Sequence, residues 1–175
     1  MPDRTPTETT NLDRYGSETL PWDRPHDLLV AQPPQPGTSI FLSTARPDGR
    51  PHVAAVGVVW HEGDLYFTSG PGTRKSKNLA ANSDCVFSAG LTGIDLILEG
   101  AATRVDDDAL MHAVIAKFRD LGWPAQVEDG RVTAPYSAPS AGPPPWDLYR
   151  FRFHTAFGVA TAEPFGATRW QFSMT

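Results

Sequence analysis

Two tight turns between short apolar segments constrain this fold more than any other feature of the sequence. Residues 39–45 (SIFLSTA) form a predicted strand, and a PDG turn at residues 47–49 follows it directly. Residues 51–60 are therefore expected to return as its antiparallel partner. The EG pair at residues 62–63 marks a second turn before another alternating segment, residues 64–69. Together these segments predict a three-stranded antiparallel meander.

The rest of the chain predicts more antiparallel strands, with few helices. Pro25 begins a predicted short helix, which Pro33, Pro34 and Pro36 end. Gly100 is a predicted bulge or point of close approach within a long strand. No β–α–β alternation occurs, so we expect a mainly β antiparallel barrel of six or seven strands with peripheral helices, not a Rossmann domain. Further strands are predicted at residues 85–89, 94–105, 146–153 and 157–161, a strand or tail at 168–172, and helices at 74–81 and 106–121.

Length and composition predict one structured domain behind a disordered tail. The chain has 175 residues, enough for one domain with a sizeable core. Residues 1–17 are rich in Thr, Asp and Pro, which is typical of disorder, so we assign residues 1–19 to the tail and 20–175 to the domain. Residues 122–145 are rich in Pro, Gly and Ser and are predicted to form a mobile flap or a surface loop.

Charge and hydropathy argue against several functional classes. The net charge of −5 disfavours nucleic acid or a membrane surface as the main partner. The longest apolar run, residues 53–60, is far shorter than a membrane span, and the N-terminus has no hydrophobic signal region. Cys85 is the one cysteine, so no internal disulfide is possible. These features predict a cytoplasmic protein that binds a small molecule.

A basic segment on this acidic background is the first functional signal. Gly70 to Gly72 end the third strand of the meander, and Thr73 is a predicted cap for the helix that follows. Arg74 and Lys75 stand in its first turn, where free backbone N–H groups and positive charge favour a bound phosphate. We expect both side chains to be exposed when no ligand is bound. The spacing leaves a solvated basic helix start open as the alternative.

The sequence shows no clear pattern of catalytic side chains or metal ligands. Ser39, Ser43 and Ser69 lie in predicted strands without a Gly-x-Ser-x-Gly elbow. The five histidines show no metal-ligand spacing, and Cys85 has no partner cysteine, so no metal site and no catalytic side chain is assigned. An anion-binding segment without a nucleophile is typical of an enzyme whose cofactor carries out the reaction.

Three segments resemble a known family. They are residues 44–82 (TARPDGRPHVAAVGVVWHEGDLYFTSGPGTRKSKNLAAN), residues 96–105 (LILEGAATRV) and residues 155–170 (TAFGVATAEPFGATRW). Together they resemble the pyridoxamine 5′-phosphate oxidase-like split-barrel superfamily, and most of all its actinobacterial flavin/deazaflavin-dependent oxidoreductases. The resemblance implies a homodimer of six-stranded split barrels that binds FMN or the deazaflavin F420 at the dimer interface.

The same resemblance implies which residues bind the cofactor. Arg74 and Lys75 match the phosphate-binding Arg-Lys pair, and Asn78 stands in the same motif. The chain ends without the Arg-Leu-x-Pro tail and the Arg-x-His of the oxidase proper, which argues against true pyridoxamine phosphate oxidation. By position, His52, Val53, Ala55 and Val58 would line the ring, Thr68 and Ser69 would lie beside the phosphoribityl chain, Asp95 would contact the ring from the second subunit, and Arg169 and Trp170 would approach cofactor or substrate.

The sequence therefore predicts an oxidoreductase that transfers a hydride between F420 or FMN and a small, planar organic acceptor. Trp123, Tyr136 and Trp146 are candidates for stacking on that acceptor, or else anchors for the loop. Two other functions stay open. One is a non-catalytic flavin-binding or sensing module, and the other is a haem-degrading split barrel with His52 or His154 as the axial ligand.

Overall fold

The computed structural model describes residues 4–31, 39–137 and 141–173. Within these residues it contains eleven strands and three helices. In chain order they are β1 (Glu8–Asn11), α1 (Asp23–Val30), β2 (Ile40–Ala45), β3 (Pro51–Ala55), β4 (Val59–His61), β5 (Asp64–Ser69), α2 (Arg74–Ala81), β6 (Asp84–Leu91), β7 (Ile94–Arg104), α3 (Asp108–Asp120), β8 (Gln126–Glu128), β9 (Arg131–Thr133), β10 (Asp147–Ala160) and β11 (Ala167–Gln171).

The long strand β10 organises the main sheet. The strands follow the order β1-β11-β10-β7-β6-β2-β3, and β5 pairs with β10 and carries β4. Along one edge, β10 pairs with β7 throughout. Along the other, its first half pairs with β5, with Tyr149 opposite Phe67, and its second half pairs with β11, with Phe157 opposite Arg169. Because every pairing is antiparallel and β10 changes partner midway, the sheet curves around one core.

Aromatic side chains fill that core. Phe67, Phe87, Phe151, Phe153 and Trp170 are all fully buried. The rings of Phe87 and Phe151 lie 4.6 Å apart between centroids, and those of Phe67 and Tyr149 are stacked at 5.1 Å. These residues alternate with outward-facing ones along their strands, as a sheet with one buried face requires.

A second, smaller core lies between α3 and the outer side of β4 and β5. Asp107 caps α3, since its carboxylate accepts a hydrogen bond of 2.8 Å from the Leu110 amide. Val114 and Ile115 of α3 pack with Tyr66 of β5 and with Trp146, which precedes β10. This packing places Phe118, near the end of α3, in a cavity wall together with Thr68 of β5 and Lys75 of α2.

One face of the main sheet is left apolar and exposed. Phe41, Val53, Ile97 and Val159 are between 40% and 57% exposed. The pairings place Phe41 beside Ala55 and align both with Ile97 across β6 and β7, so these side chains share the face opposite the core. We call this surface the outer apolar face.

Gly100 lies where the central strands β7 and β10 approach each other closely. It is opposite Phe153, and a Cβ at this position would lie 2.6 Å from the Phe153 Cα and against the Arg152 carbonyl oxygen. The register of β10 shifts between Phe153 and Thr155 at the same point. The predicted close approach is therefore confirmed.

The N-terminal segment differs from its prediction. Residues 8–11 form β1, which pairs with β11 between Glu8–Gln171 and Asn11–Thr168. Arg4 continues the attachment, because its guanidinium lies 4.3 Å from the Phe153 ring centroid and donates to the Ser173 carbonyl oxygen. The expectation of a disordered tail is wrong for this stretch, because its polar composition concealed a strand that pairs with the edge of β11.

Other predicted elements are mostly reproduced. The strand at residues 64–69 and the helix at 74–81 have the predicted bounds, whereas residues 51–60 divide into β3 and β4. The predicted strands at 146–153 and 157–161 are one continuous strand, β10. Within residues 122–145, expected to be a flap or loop, β8 and β9 form a hairpin. Residues 1–3, 32–38 (with Pro33, Pro34 and Pro36), 138–140 and 174–175 lie outside the described residues. Within the described residues, no helix has the length and hydropathy needed to cross a membrane.

Candidate cofactor site

Hydroxyl groups fix the start of α2 against the barrel. Thr73 caps the helix, accepting a bond from the Ser76 amide. The Thr73 hydroxyl lies 2.9 Å from that of Ser69, and the Ser76 hydroxyl donates to Ser69 Oγ at 2.7 Å. The Tyr149 hydroxyl hydrogen-bonds with Ser76 in turn. This network ties the helix N-terminus to β5 and β10, so the basic residues behind it are held in place.

Lys75 lies in the wall of a cavity beside this helix. Its side chain is only 3% exposed, and burial lowers the pKa of its ammonium group. The expectation that Arg74 and Lys75 are both exposed is therefore correct for Arg74 and wrong for Lys75. A desolvated ammonium group favours a nearby anion. The cavity measures about 270 Å³ and is lined by Ala55, Val56, Gly57, Thr68, Lys75, Phe118, Trp123, Tyr136, Ser137 and Ala141.

His52 lies in a region of positive electrostatic potential. Its pKa is lowered first by burial, and then by the charges of Arg46, Lys75 and Arg74. Its Nδ1 atom is buried without a hydrogen-bond partner among the described residues, and so is Nε of Arg46. Buried donors and acceptors without partners are costly. A phosphate group placed here would offset the positive field, so the residues present fit the anionic end of a cofactor.

Asn78 connects α2 to the strand next to His52. Its side-chain amide donates to Thr44 Oγ1 at 2.9 Å, and Thr44 is the cross-strand neighbour of His52. The Oδ1 atom of Asn78 is buried and has no partner among the described residues. Asn78 therefore packs α2 against β2 and retains one buried acceptor without a partner among the described residues.

The structure brings about half of the predicted site residues together. Ala55, Thr68 and Lys75 line the cavity, and Arg74 lies close enough to His52 to lower its pKa. Asn78 is buried on the side of α2 that faces β2. Ser69 is buried too, and its hydroxyl belongs to the network that holds Thr73.

The other predicted residues lie elsewhere in this chain. Val58 is part of the main core, and Val53 is exposed on the outer apolar face. Asp95 is exposed on β7, opposite Val159 on that same face. Trp170 is 1% exposed, and its indole N–H donates to the Leu20 carbonyl oxygen in the core. Arg169 lies on β11, five positions from β3 in the sheet order, and donates to Thr10 Oγ1 of β1.

Sequence reasoning missed several residues of this region. Arg46 follows β2 directly, and its effect on His52 depends on the β2–β3 pairing. Ser76 stands three residues after the cap, a spacing that could have been noticed. Phe118 fell only within the predicted helix at residues 106–121, and Tyr149 only within the predicted strand at residues 146–153. Of the three stacking candidates, Trp123 and Tyr136 line the cavity, whereas Trp146 is buried in the second core.

The charge state of His52 gives a test of this geometry. Replacing Lys75 by Met removes one like charge, so the pKa of His52 should rise while staying below its ordinary value of about 6.5, because burial is the larger cause. NMR titration of the imidazole measures this directly. Lys77→Ala, on the exposed side of the same helix, is the control and should leave the His52 pKa unchanged. If the pKa of His52 were the same in Lys75→Met as in the wild type, the ammonium group of Lys75 would lie too far from His52 to affect its pKa.

The lowered pKa of His52 also determines how the stability of the folded state changes with pH. Because the pKa of His52 is lower in the folded state than in the unfolded state, its protonation favours unfolding. This contribution to stability is fully present above about pH 6.5 and declines as the pH falls from there toward the folded-state pKa.

An antiparallel sheet curved around one core, with peripheral helices, defines the split-barrel class, and in this chain a helix that begins with Arg74 and Lys75 packs against the sheet. The sequence profile described as pyridoxamine 5′-phosphate oxidase matches residues 30–160, so the chain belongs to this family. The predicted family and the predicted mainly β split barrel are both confirmed. The main sheet has nine strands among the described residues, because β1 adds an edge and residues 51–60 divide.

Solved structures show the same fold at low identity. An F420 reductase is 24% identical with a TM-score of 0.51, over 74% of this chain and 93% of its own. A pyridoxamine 5′-phosphate oxidase-related, FMN-binding protein from Nostoc punctiforme is 18% identical with a TM-score of 0.51, over 75% and 78%. A putative 5-nitroimidazole antibiotic resistance protein from Bacteroides thetaiotaomicron is 13% identical with a TM-score of 0.58, over 94% and 89%. No curated protein matches the chain.

Proposed function

We propose that this protein is an oxidoreductase that binds F420 or FMN and transfers a hydride between the cofactor ring and a small organic acceptor. The observation that carries the proposal is Lys75, a desolvated ammonium group in a cavity wall, with Arg74 and Arg46 close enough to lower the pKa of His52. The family membership and the printed names of the F420 reductase and the FMN-binding neighbour support a cofactor of this type.

In this proposal, the residues of the chain bind and orient the cofactor and the acceptor. Arg74 and Lys75 hold the phosphate by charge-assisted bonds, and the network around Thr73 fixes them. The segment from Ala55 to Gly57 and Thr68 line the space for the ring. A reduced cofactor of this type, when bound, would supply a hydride with its two electrons to the acceptor, and a proton from water would complete the reduction. Catalysis then rests on positioning the acceptor within transfer distance.

We further propose that the outer apolar face binds a second copy of the chain. Four large apolar side chains on one sheet face are unusual for a free surface and suit an isologous interface. Val53 and Asp95 lie on this face. Asp95 would therefore reach a cofactor at the interface from the partner copy, as the family resemblance implies, and we propose the same for Val53. We place the dimer in the reducing cytoplasm, since Cys85 is the single cysteine and is buried.

Titration of the purified protein with both cofactors tests the proposed function. We expect saturable binding of FMN or F420, and reoxidation of the reduced cofactor only when an acceptor is added. A protein that binds neither cofactor contradicts the proposal, and so does a Soret band, which would indicate haem. Binding without acceptor-dependent reoxidation, across quinone and nitroaromatic acceptors, would instead identify a sensing module.

A further inference from the structure

His52 shares one face of the β2–β3 hairpin with Thr44. The two residues are paired directly across the hairpin, so their side chains lie on the same side of it. Thr44 is only 5% exposed, and its hydroxyl accepts a hydrogen bond from the side-chain amide of Asn78 in α2. Helix α2 therefore covers the face on which His52 lies. Lys75 precedes Asn78 by three residues and so lies on the same side of that helix.

Positive charges act on His52 from both elements at this face. Arg46 follows β2 directly, and its backbone amide still donates to Arg50 across the hairpin. Burial lowers the pKa of His52 most, and the charges of Arg46, Lys75 and Arg74 lower it further. A protonated imidazole would add one more positive charge to this group. The protein without a bound anion therefore favours the neutral form of His52.

Two buried nitrogen atoms at this face have no partner. Nδ1 of His52 and Nε of Arg46 make no hydrogen bond among the described residues. Buried polar atoms of this kind destabilise a protein unless a ligand or a water molecule satisfies them. Both nitrogens are donors when His52 is protonated, and a phosphate group near neutral pH offers acceptors. An anion therefore satisfies these atoms better than they can satisfy each other.

We propose that His52 takes up a proton from the solvent when the phosphate of the cofactor binds, and that its imidazolium then donates from Nδ1 to that phosphate. This inference rests on the proposed function, because it assumes that Arg74 and Lys75 hold the phosphate. A phosphate monoester near neutral pH carries about 1.5 to 2 negative charges. Such a group offsets the positive charges that keep His52 neutral and attracts its protonated form. His52 thereby makes the affinity for the cofactor dependent on pH.

The expected pH dependence has a definite sign. Since phosphate binding raises the pKa of His52, its contribution to affinity is present at about pH 6 and lost by about pH 8. His52→Asn keeps an amide at the side-chain position of Nδ1 but cannot become charged. The ratio of the cofactor Kd in His52→Asn to that in the wild type should be about threefold or more larger at the lower pH. The phosphate titrates in the same range, but the same free ligand binds both proteins, so the ratio removes that effect.

Calorimetric titration of the full chain with FMN measures the proton uptake itself. Binding enthalpies at about pH 7 are compared in MOPS and imidazole buffers, whose ionisation enthalpies differ, and the difference gives the number of protons taken up. We expect about half a proton for the wild type and close to none for His52→Asn. Lys75, whose pKa is lowered by burial, is present in both proteins, so the difference between them reports His52. His112→Asn, at an exposed histidine of α3, is the matched control and should equal the wild type.

The possible results separate the two proposals. Proton uptake that is equal in His52→Asn and the wild type would overturn the inference, as would a wild type that takes up no proton or takes up as much with riboflavin, which has no phosphate. NMR titration of the wild-type imidazole needs no variant. The pKa of His52 should be higher with bound cofactor than without it, and an equal or lower pKa would also overturn the inference. F420 replaces FMN in these titrations if it is the cofactor that binds. Failure of the wild type to bind either cofactor would overturn the proposed function itself.

Discussion

Replacing Arg74 by Ala and Lys75 by Met together should weaken cofactor binding by about 10²- to 10⁴-fold. Each side chain is expected to contribute a charge-assisted bond of about 1.5–3 kcal/mol, and each 1.4 kcal/mol is tenfold in Kd. Methionine is chosen at position 75 because Lys75 is buried, and its stem must still fill the cavity wall. Calorimetric titration with FMN and F420 measures the loss, and circular dichroism verifies that the fold is retained.

Riboflavin, which lacks the phosphate, distinguishes the contribution of Arg74 and Lys75 to binding from that of the rest of the site. The wild type should bind FMN much more tightly than riboflavin, and the double variant should bind the two about equally. Lys77→Ala is the matched control, since Lys77 is exposed on the same helix and should matter little for FMN. If the double variant kept the full preference for FMN over riboflavin, the phosphate site would have to be placed elsewhere.

Local signals in the sequence predicted the parts of the fold that depend on neighbouring residues. The PDG turn specifies the β2–β3 hairpin, and Thr73 and Asp107 specify where α2 and α3 begin. Gly100 indicated a close strand approach before the partner strand was known. In each case one residue type satisfies a local requirement, such as an orphan helix N–H or space for a backbone atom.

Features that depend on distant contacts were not predictable in the same way. β1 is polar and becomes a strand only because the edge of β11 accepts it, some 160 residues away along the chain. The motif predicted Lys75 as a phosphate ligand, but the burial of its side chain follows from the packing of α2 on β2 and β3. Similarly, Phe118 joins the cavity because α3 folds back over β4. Tertiary packing decides such features, and a single sequence does not record it.

Replacing Phe41 and Ile97 by Asp together should convert the proposed dimer to monomers. Both side chains are partly exposed on the outer apolar face, and a second copy would bury them. An isologous interface contains every substitution twice, so four carboxylates would lose water without gaining partners. We expect the dimer Kd to rise by about 10³-fold or more. Sedimentation velocity over a range of protein concentrations measures this change.

The same double replacement of Phe41 and Ile97 by Asp also tests whether the interface contributes to the cofactor site. If Val53 and Asp95 of one copy complete the site of the other, the monomeric variant should also bind FMN or F420 more weakly, although its own Arg74 and Lys75 are intact. Val30→Asp, at an exposed apolar position on α1 that is not part of the outer apolar face, is the control and should leave both assembly and binding unchanged. A wild type that is monomeric at all concentrations contradicts the dimer. Full cofactor affinity in the monomeric variant would show that each chain holds its cofactor alone, and the outer apolar face would then have no part in the site.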